Sequence, residues 1–156
     1  MDTTLSYCGI TPAAIVKIEA TLKRLLKDTG LGCAMAIDHS GYVIARKGEV
    51  EHVRPDDLAA IAAGSFASYE MMLRTREMTI VFHTKGIDNL HFARVNSNVV
   101  LVALYNDSTD IGIIRPKIKT AVQQIKEALG KEDTVSARLG SLSFITSKLD
   151  EMFKEK

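Results

Sequence analysis

His83 and His91 are the two side chains whose types and spacing come nearest to a chemical site. They lie on two predicted strands joined by a turn, so they can face each other across a hairpin and bind a metal ion together. The sequence offers no third ligand nearby, and a metal held by proteins usually has at least three. We therefore predict ordinary polar strand positions here, with neither a metal nor a cofactor.

The two cysteines are not in settings typical of nucleophiles. Cys33 lies inside an apolar run, where a thiol is normally a small core side chain, and no activating base lies near Cys8 in the sequence. The chain also contains no P-loop, Gly-x-Ser-x-Gly, Cys-x-x-Cys or His-Glu-x-x-His motif. We predict that the protein is not an enzyme and has no catalytic residues.

Several arginines near predicted loops and helix ends could contact a phosphate or a partner's carboxylate. Arg54, Arg74 and Arg76 flank the second predicted helix, and Arg94 and Arg115 lie near other loops. The alternative is that these side chains are ordinary solvated cations, which contribute little.

The composition predicts a single cytoplasmic domain with free thiols. The chain has 156 residues, of which 46% are apolar, and 20 Lys and Arg balance 19 Asp and Glu to a net charge of +1. This balance argues against nucleic acid as a partner. Neither a secretory signal nor a membrane-spanning run is evident, so we expect no membrane insertion.

The order of predicted elements is α-β-β-α-β-β-β-α with an added C-terminal helix. Apolar runs at 33–37 and 99–104 predict central strands covered on both sides. Further strands are predicted at 42–46, 78–83 and 89–95, and short turns favour antiparallel pairing. The third helix is predicted to be capped within residues 106–109, and Pro116 should kink it or delay its start.

These elements predict an α+β fold, with a five-stranded antiparallel sheet between helices. The first and third helices should cover one face of the sheet and the second helix the other. Residues 11–130 form the predicted domain, and residues 131–156 form a linker and an amphipathic C-terminal helix.

The second helix is apolar nearly all round, which indicates burial on more than one side. The strand after it is apolar, free of proline and predicted to lie at a sheet edge, where it invites pairing. A two-fold dimer would bury both features. The alternative is a monomer whose edge is shielded by the C-terminal helix. The predicted dimer residues are Leu58, Ile61, Ala62, Ser65, Ile80, Val81 and Phe82.

Three segments carry a resemblance to a known family. Residues 32–44 place two strands around the turn Asp38-His39-Ser40-Gly41, residues 57–64 are rich in alanine, and residues 110–115 read Asp-Ile-Gly-Ile-Ile-Arg. In this order they resemble the first hairpin, the dimer helix and the start of the last domain helix of the Roadblock/dynein light chain domain family. Bacterial MglB-like members are also similar in length and in having a C-terminal extension.

The resemblance implies a non-catalytic homodimer that binds a small Ras-like GTPase. MglB-like members are polarity regulators that activate GTP hydrolysis by remodelling the GTPase's own site, without supplying an arginine. Arg54, Arg74 and Arg76 are then candidate GTPase contacts. Two alternatives stay open: an adaptor scaffold without an effect on hydrolysis, and a small-molecule sensor or minor enzyme on a profilin-like sheet.

Overall fold

The computed structural model describes residues 9–51, 53–73, 79–82, 89–106 and 108–130, together with Met152. The elements are α1 (Pro12–Thr29), β1 (Cys33–Asp38), β2 (Val43–Gly48), α2 (Pro55–Leu73), β3 (Thr79–Phe82), β4 (Asn89–Arg94), β5 (Val99–Tyr105) and α3 (Ile111–Leu129). The predicted C-terminal helix falls outside these residues apart from Met152, as do Cys8, Arg74, Arg76 and His83.

The strands form one antiparallel sheet in the order β2-β1-β5-β4-β3. Every residue of β1 and β5 is buried, and these two strands pair at the centre of the sheet. Strands that are apolar on both faces need cover on both sides, so their central position follows from their sequences. An α+β fold with an antiparallel sheet between helices is thereby confirmed.

The two faces of the sheet are covered as predicted. Side chains alternate along β1, so that Ala34 and Ala36 face α1 and α3, whereas Met35 and Ile37 face α2. Among the described helices, two therefore lie on the first face and one on the second.

The helix starts follow local capping chemistry. The Thr11 hydroxyl accepts a hydrogen bond from the Ala14 amide at 3.2 Å and begins α1. In α3 the N-cap is Asp110, whose carboxylate accepts from the Gly112 amide at 2.8 Å. The predicted cap within residues 106–109 is therefore wrong. Asn106 instead closes the preceding turn, because its side-chain oxygen accepts from the Ser108 amide at 3.1 Å.

Pro116 lies inside α3, which begins five residues before it, so the predicted late start is wrong. A proline removes the hydrogen bond to the carbonyl four residues earlier, which here belongs to Gly112. Gly112 is exposed, and water can satisfy that carbonyl. The helix continues because the lost bond lies in its first turns, where only this one carbonyl is affected.

Candidate interaction surface

The second helix is positioned by the turn between β1 and β2. The Asp38 carboxylate accepts from the amides of Ser40 and Tyr42, both at 2.9 Å, and fixes the shape of the turn. Gly41 has φ +92°, and a Cβ there would lie 2.9 Å from the Cα of Ala60. The turn therefore packs directly on the α2 backbone, and only glycine allows both the conformation and the approach.

The inner face of α2 is packed against the sheet within one chain. Leu58, Ala62 and Phe66 are buried together with Met35 of β1 and Val102 of β5. Burial of these apolar side chains fixes which face of the helix is turned inward.

Arg94 of β4 fixes the C-terminal half of α2. Its guanidinium lies 5.4 Å from the centroid of the Phe66 ring and forms an ion pair with Glu70. The Arg94 side chain is only 12% exposed, so its charge is poorly solvated and depends on these two partners.

The outer face of α2 carries unusually exposed apolar side chains. Ile61 is 59% exposed, Met71 83% and Met72 76%. No charged residue lies between Asp57 and Glu70, which is unusual for a helix face in contact with water.

Gly64 lies at the middle of this outer face. A Cβ built on it meets no atom within 4 Å, so the packing of a single chain does not require glycine there. A glycine within a helix costs roughly 0.5–1 kcal/mol relative to alanine. Close approach of another helix at this position would explain why a glycine is present.

The two edge strands of the sheet differ in how well they are protected against pairing with another chain. β2 carries Arg46 and Lys47, and its pairing with β1 is interrupted by an irregularity between Ala36 and Ile37. Charges and irregularities of this kind discourage pairing with another chain. β3 pairs with β4 and has no second neighbour within the described part of the sheet, and its sequence, Thr-Ile-Val-Phe, bears no charge.

The structure divides the predicted dimer residues into two groups. Ile61 and the half-buried Ser65 lie towards the outside, and Ile80, Val81 and Phe82 form the edge strand β3. Leu58 is only 4% exposed and Ala62 is fully buried, both against the chain's own sheet. These two side chains are not available to a second chain, so the candidate surface excludes them.

Gly64, Met71 and Met72 belong to the surface but were not among the predicted dimer residues. The signal was present, because positions 61, 64, 68 and 71 follow helical spacing without a charge. We name this outer face of α2 together with β3 the α2–β3 surface. Arg54 is exposed and directly precedes α2, at one end of that surface.

The candidate chemical residues are placed unfavourably for catalysis. Burial raises the pKa of the Cys33 thiol to about 11, so the thiol is protonated at neutral pH. Burial, and then the nearby Arg115 charge, lower the pKa of His91 to about 4. In the described ranges, no three His, Cys, Asp or Glu side chains are grouped to hold a metal, and His83 lies outside those ranges.

His91 is expected to make the protein less stable in mild acid. Its pKa is about 4 when folded against 6.5 for the free side chain, so the unfolded chain binds a proton first as the pH falls. The stabilisation is complete above pH 6.5 and is lost as the pH falls towards 4. Between pH 7.5 and pH 5 this group should lower the free energy of unfolding by about 2 kcal/mol.

Urea unfolding at both pH values measures this effect. His91→Leu should lose that part of the pH dependence, while the control His39→Gln, at an exposed position, should keep it. Equal pH dependence in wild type and His91→Leu would contradict the assignment.

Comparison with solved structures shows what the fold resembles. MglB from Thermus thermophilus, described as a gliding protein, aligns with a TM-score of 0.68 and 20% identity, covering 77% of this chain and 93% of that one. Myxococcus xanthus MglB aligns at 0.62 with 26% identity, covering 71% and 93%. A Roadblock/LC7 domain from Streptomyces avermitilis aligns at 0.58 with 17% identity, covering 71% and 96%.

Sequence comparison alone gives no such result. No protein-family model matches the chain, and no curated protein matches it. The predicted resemblance to the Roadblock family and its MglB-like members is confirmed by the structural similarity. None of the described helices is long and apolar enough to cross a membrane.

Proposed function

We propose, from the premise that this chain has the Roadblock fold and is similar to MglB, that it is a homodimeric regulator of a small Ras-like GTPase. In this proposal it is not an enzyme itself, and it stimulates GTP hydrolysis by its partner. Residues 11–130 would form the Roadblock domain, and residues 131–156 an accessory segment. The observation that carries the proposal is the α2–β3 surface, which is largely apolar, uncharged along most of α2 and, within the described sheet, unpaired on the outer side of β3.

The proposed dimer is supported by the unpaired outer side of β3 in the described sheet. Two copies of β3 can pair antiparallel about a two-fold axis perpendicular to the sheet, giving one continuous sheet across both chains. The same axis places the two α2 helices side by side on one face. Gly64, with open space at its Cβ position, permits their close contact.

The paired α2 helices would present a platform to the GTPase. The exposed Met71 and Met72 are flexible apolar side chains of the kind that adapt to a partner surface. Arg54, at the start of α2, would supply a charged contact at the rim, and Arg74 and Arg76 would follow the end of the helix.

Activation would come from ordering the GTPase rather than from a group inserted into its site. Phosphoryl transfer depends on positioning and on stabilising charge, so a partner that holds the water-orienting residue in place lowers the barrier. Such a mechanism requires no catalytic side chain from the regulator.

Single-turnover hydrolysis by purified small Ras-like GTPases from the source organism tests the proposal. We expect the wild-type protein to raise the rate at least tenfold, and Gly64→Arg to abolish the effect because it removes the platform. The matched control Ala20→Arg places the same charge on exposed α1 and should retain full stimulation. Binding without any change of rate would refute activation and support the adaptor alternative. A Gly64→Arg protein that still binds the GTPase and still stimulates hydrolysis would contradict the proposed surface.

A further inference from the structure

The charges of the protein are divided between the two sides of the sheet. Helices α1 and α3 together carry eight Lys and Arg against three Asp and Glu, a net charge of +5. The whole chain has a net charge of +1, so the remaining residues sum to −4. The near-neutral total conceals one strongly basic layer.

The basic side chains of this layer point away from the core. Ile18 and Ile118 mark the inner sides of the two helices and are buried against the sheet. Lys23 and Lys27 lie one turn apart on the outer side of α1, and Lys119 and Lys126 lie on exposed positions of α3. We name the exposed side of α1 and α3 the basic face.

The three acidic residues of these helices neutralise the basic face only in part. Glu19 is half-buried, Glu127 is exposed on α3, and Asp28 pairs with one cation, Lys117, at 3.9 Å across the two helices. That pair joins the end of α1 to the beginning of α3, so the helices run antiparallel side by side. Two such helices lying on a sheet present a broad face rather than a cleft.

We propose that the basic face is a peripheral docking surface for an anionic lipid bilayer. A broad layer of mobile ammonium groups suits a surface of many diffuse negative charges. The exposed side chains of Val16 on α1 and Ile113 on α3 add apolar groups that can enter the headgroup region.

The composition of the basic face favours lipid over a protein or nucleic acid. Six of its eight cations are lysines, whereas protein interfaces are depleted in lysine and enriched in arginine. Neither helix contains an aromatic residue on which a nucleic-acid base could stack. A bilayer requires neither paired hydrogen bonds nor stacking.

The docking orientation rests on the proposed dimer. A two-fold axis perpendicular to a continuous sheet keeps equivalent faces on the same side, so the two basic faces would be presented together. The paired α2 helices would then face away from the bilayer. A bound GTPase would be held at the membrane without being covered by it.

Vesicle sedimentation tests this docking surface. We expect the full chain to bind phosphatidylcholine vesicles containing 30% phosphatidylserine, and to bind pure phosphatidylcholine at least tenfold more weakly. Raising the salt from 0.1 to 0.5 M should release the protein. Each removed lysine should weaken binding roughly fivefold, so Lys23→Gln with Lys27→Gln should lower the partition coefficient about 25-fold.

The matched control removes one cation from the opposite side of the sheet. Arg46→Gln, which pairs with Met35 on the α2 side, should bind within about twofold of wild type, whereas Lys23→Gln alone should bind about fivefold more weakly. Equal binding to both kinds of vesicle, or no binding to anionic vesicles, would overturn the proposal. The proposal would also be overturned if the protein bound polyglutamate or DNA at a salt concentration at which it no longer binds anionic vesicles.

Failure of this proposal is distinguishable from failure of the dimer. A monomer that still binds anionic vesicles through Lys23 and Lys27 would overturn the dimeric platform and keep the basic face. A dimer that stimulates hydrolysis but ignores anionic vesicles would overturn only the basic face.

Discussion

Replacing Gly64 with arginine is expected to convert the proposed dimer into a monomer that is still folded. A Cβ at this position meets no atom within 4 Å in one chain, so the larger side chain extends into open space and the fold is kept. Across the proposed two-fold axis, each arginine would meet the partner helix and approach its own charged counterpart. Bulk and repulsion together should raise the dissociation constant at least 1,000-fold, or about 4 kcal/mol.

Analytical ultracentrifugation over a range of concentrations measures this change. Ala20→Arg on exposed α1 adds the same side chain to the opposite layer and should leave the dissociation constant within about twofold of wild type. A Gly64→Arg protein that associates as tightly as wild type would place the interface elsewhere. Circular dichroism should show unchanged helix content in both variants.

Truncating Leu58 is expected to destabilise each chain instead of the dimer. Leu58 is 4% exposed and packs with Phe66, Met35 and Val102 between α2 and the sheet. Leu58→Ala removes buried methyl groups and leaves a cavity, which typically costs about 2–5 kcal/mol of unfolding free energy. Ile61→Ala, three residues along the same helix but 59% exposed, should cost less than about 1 kcal/mol in a monomer.

Denaturant unfolding in the monomeric Gly64→Arg background separates these two effects, because stability then no longer depends on protein concentration. Ile61→Ala in the dimeric background should weaken association, whereas Leu58→Ala should lower stability in both backgrounds. Equal losses of unfolding free energy for the two substitutions would contradict the orientation of α2.

The orientation of α2 is the part of the site that the sequence predicted least well. Leu58 and Ile61 are both large and apolar, and the alanines around them give no polar side to mark the solvent. When a helix is apolar nearly all round, its pattern indicates burial but not which face meets which neighbour. Contacts with Met35 and Val102 decide this, and those residues lie far away in the sequence.

The central strands were predictable because their signal is local. Residues 33–37 and 99–104 are apolar on both faces, and such runs require cover on both sides. The start of α3 was harder, since residues 106–110 contain several side chains able to cap a helix. Asp110 is the cap because Asn106 is already used in the turn that leaves β5.

The division of charge between the two sides of the sheet could not be predicted from the net charge of the sequence. Basic residues on α1 and α3 are separated by more than 80 positions, and their common face exists only because both helices pack on one side of the sheet. Arg54 illustrates a second limit of prediction from one sequence. Its place beside α2 was predictable, but a contact with a GTPase depends on a second molecule.

Sedimentation equilibrium of the unmodified chain tests the central claim most directly, because platform and GTPase binding both depend on two copies meeting through the α2–β3 surface. At micromolar concentration we expect a single species of twice the 17.1 kDa chain mass. A species of 17.1 kDa that persists across that range would contradict it.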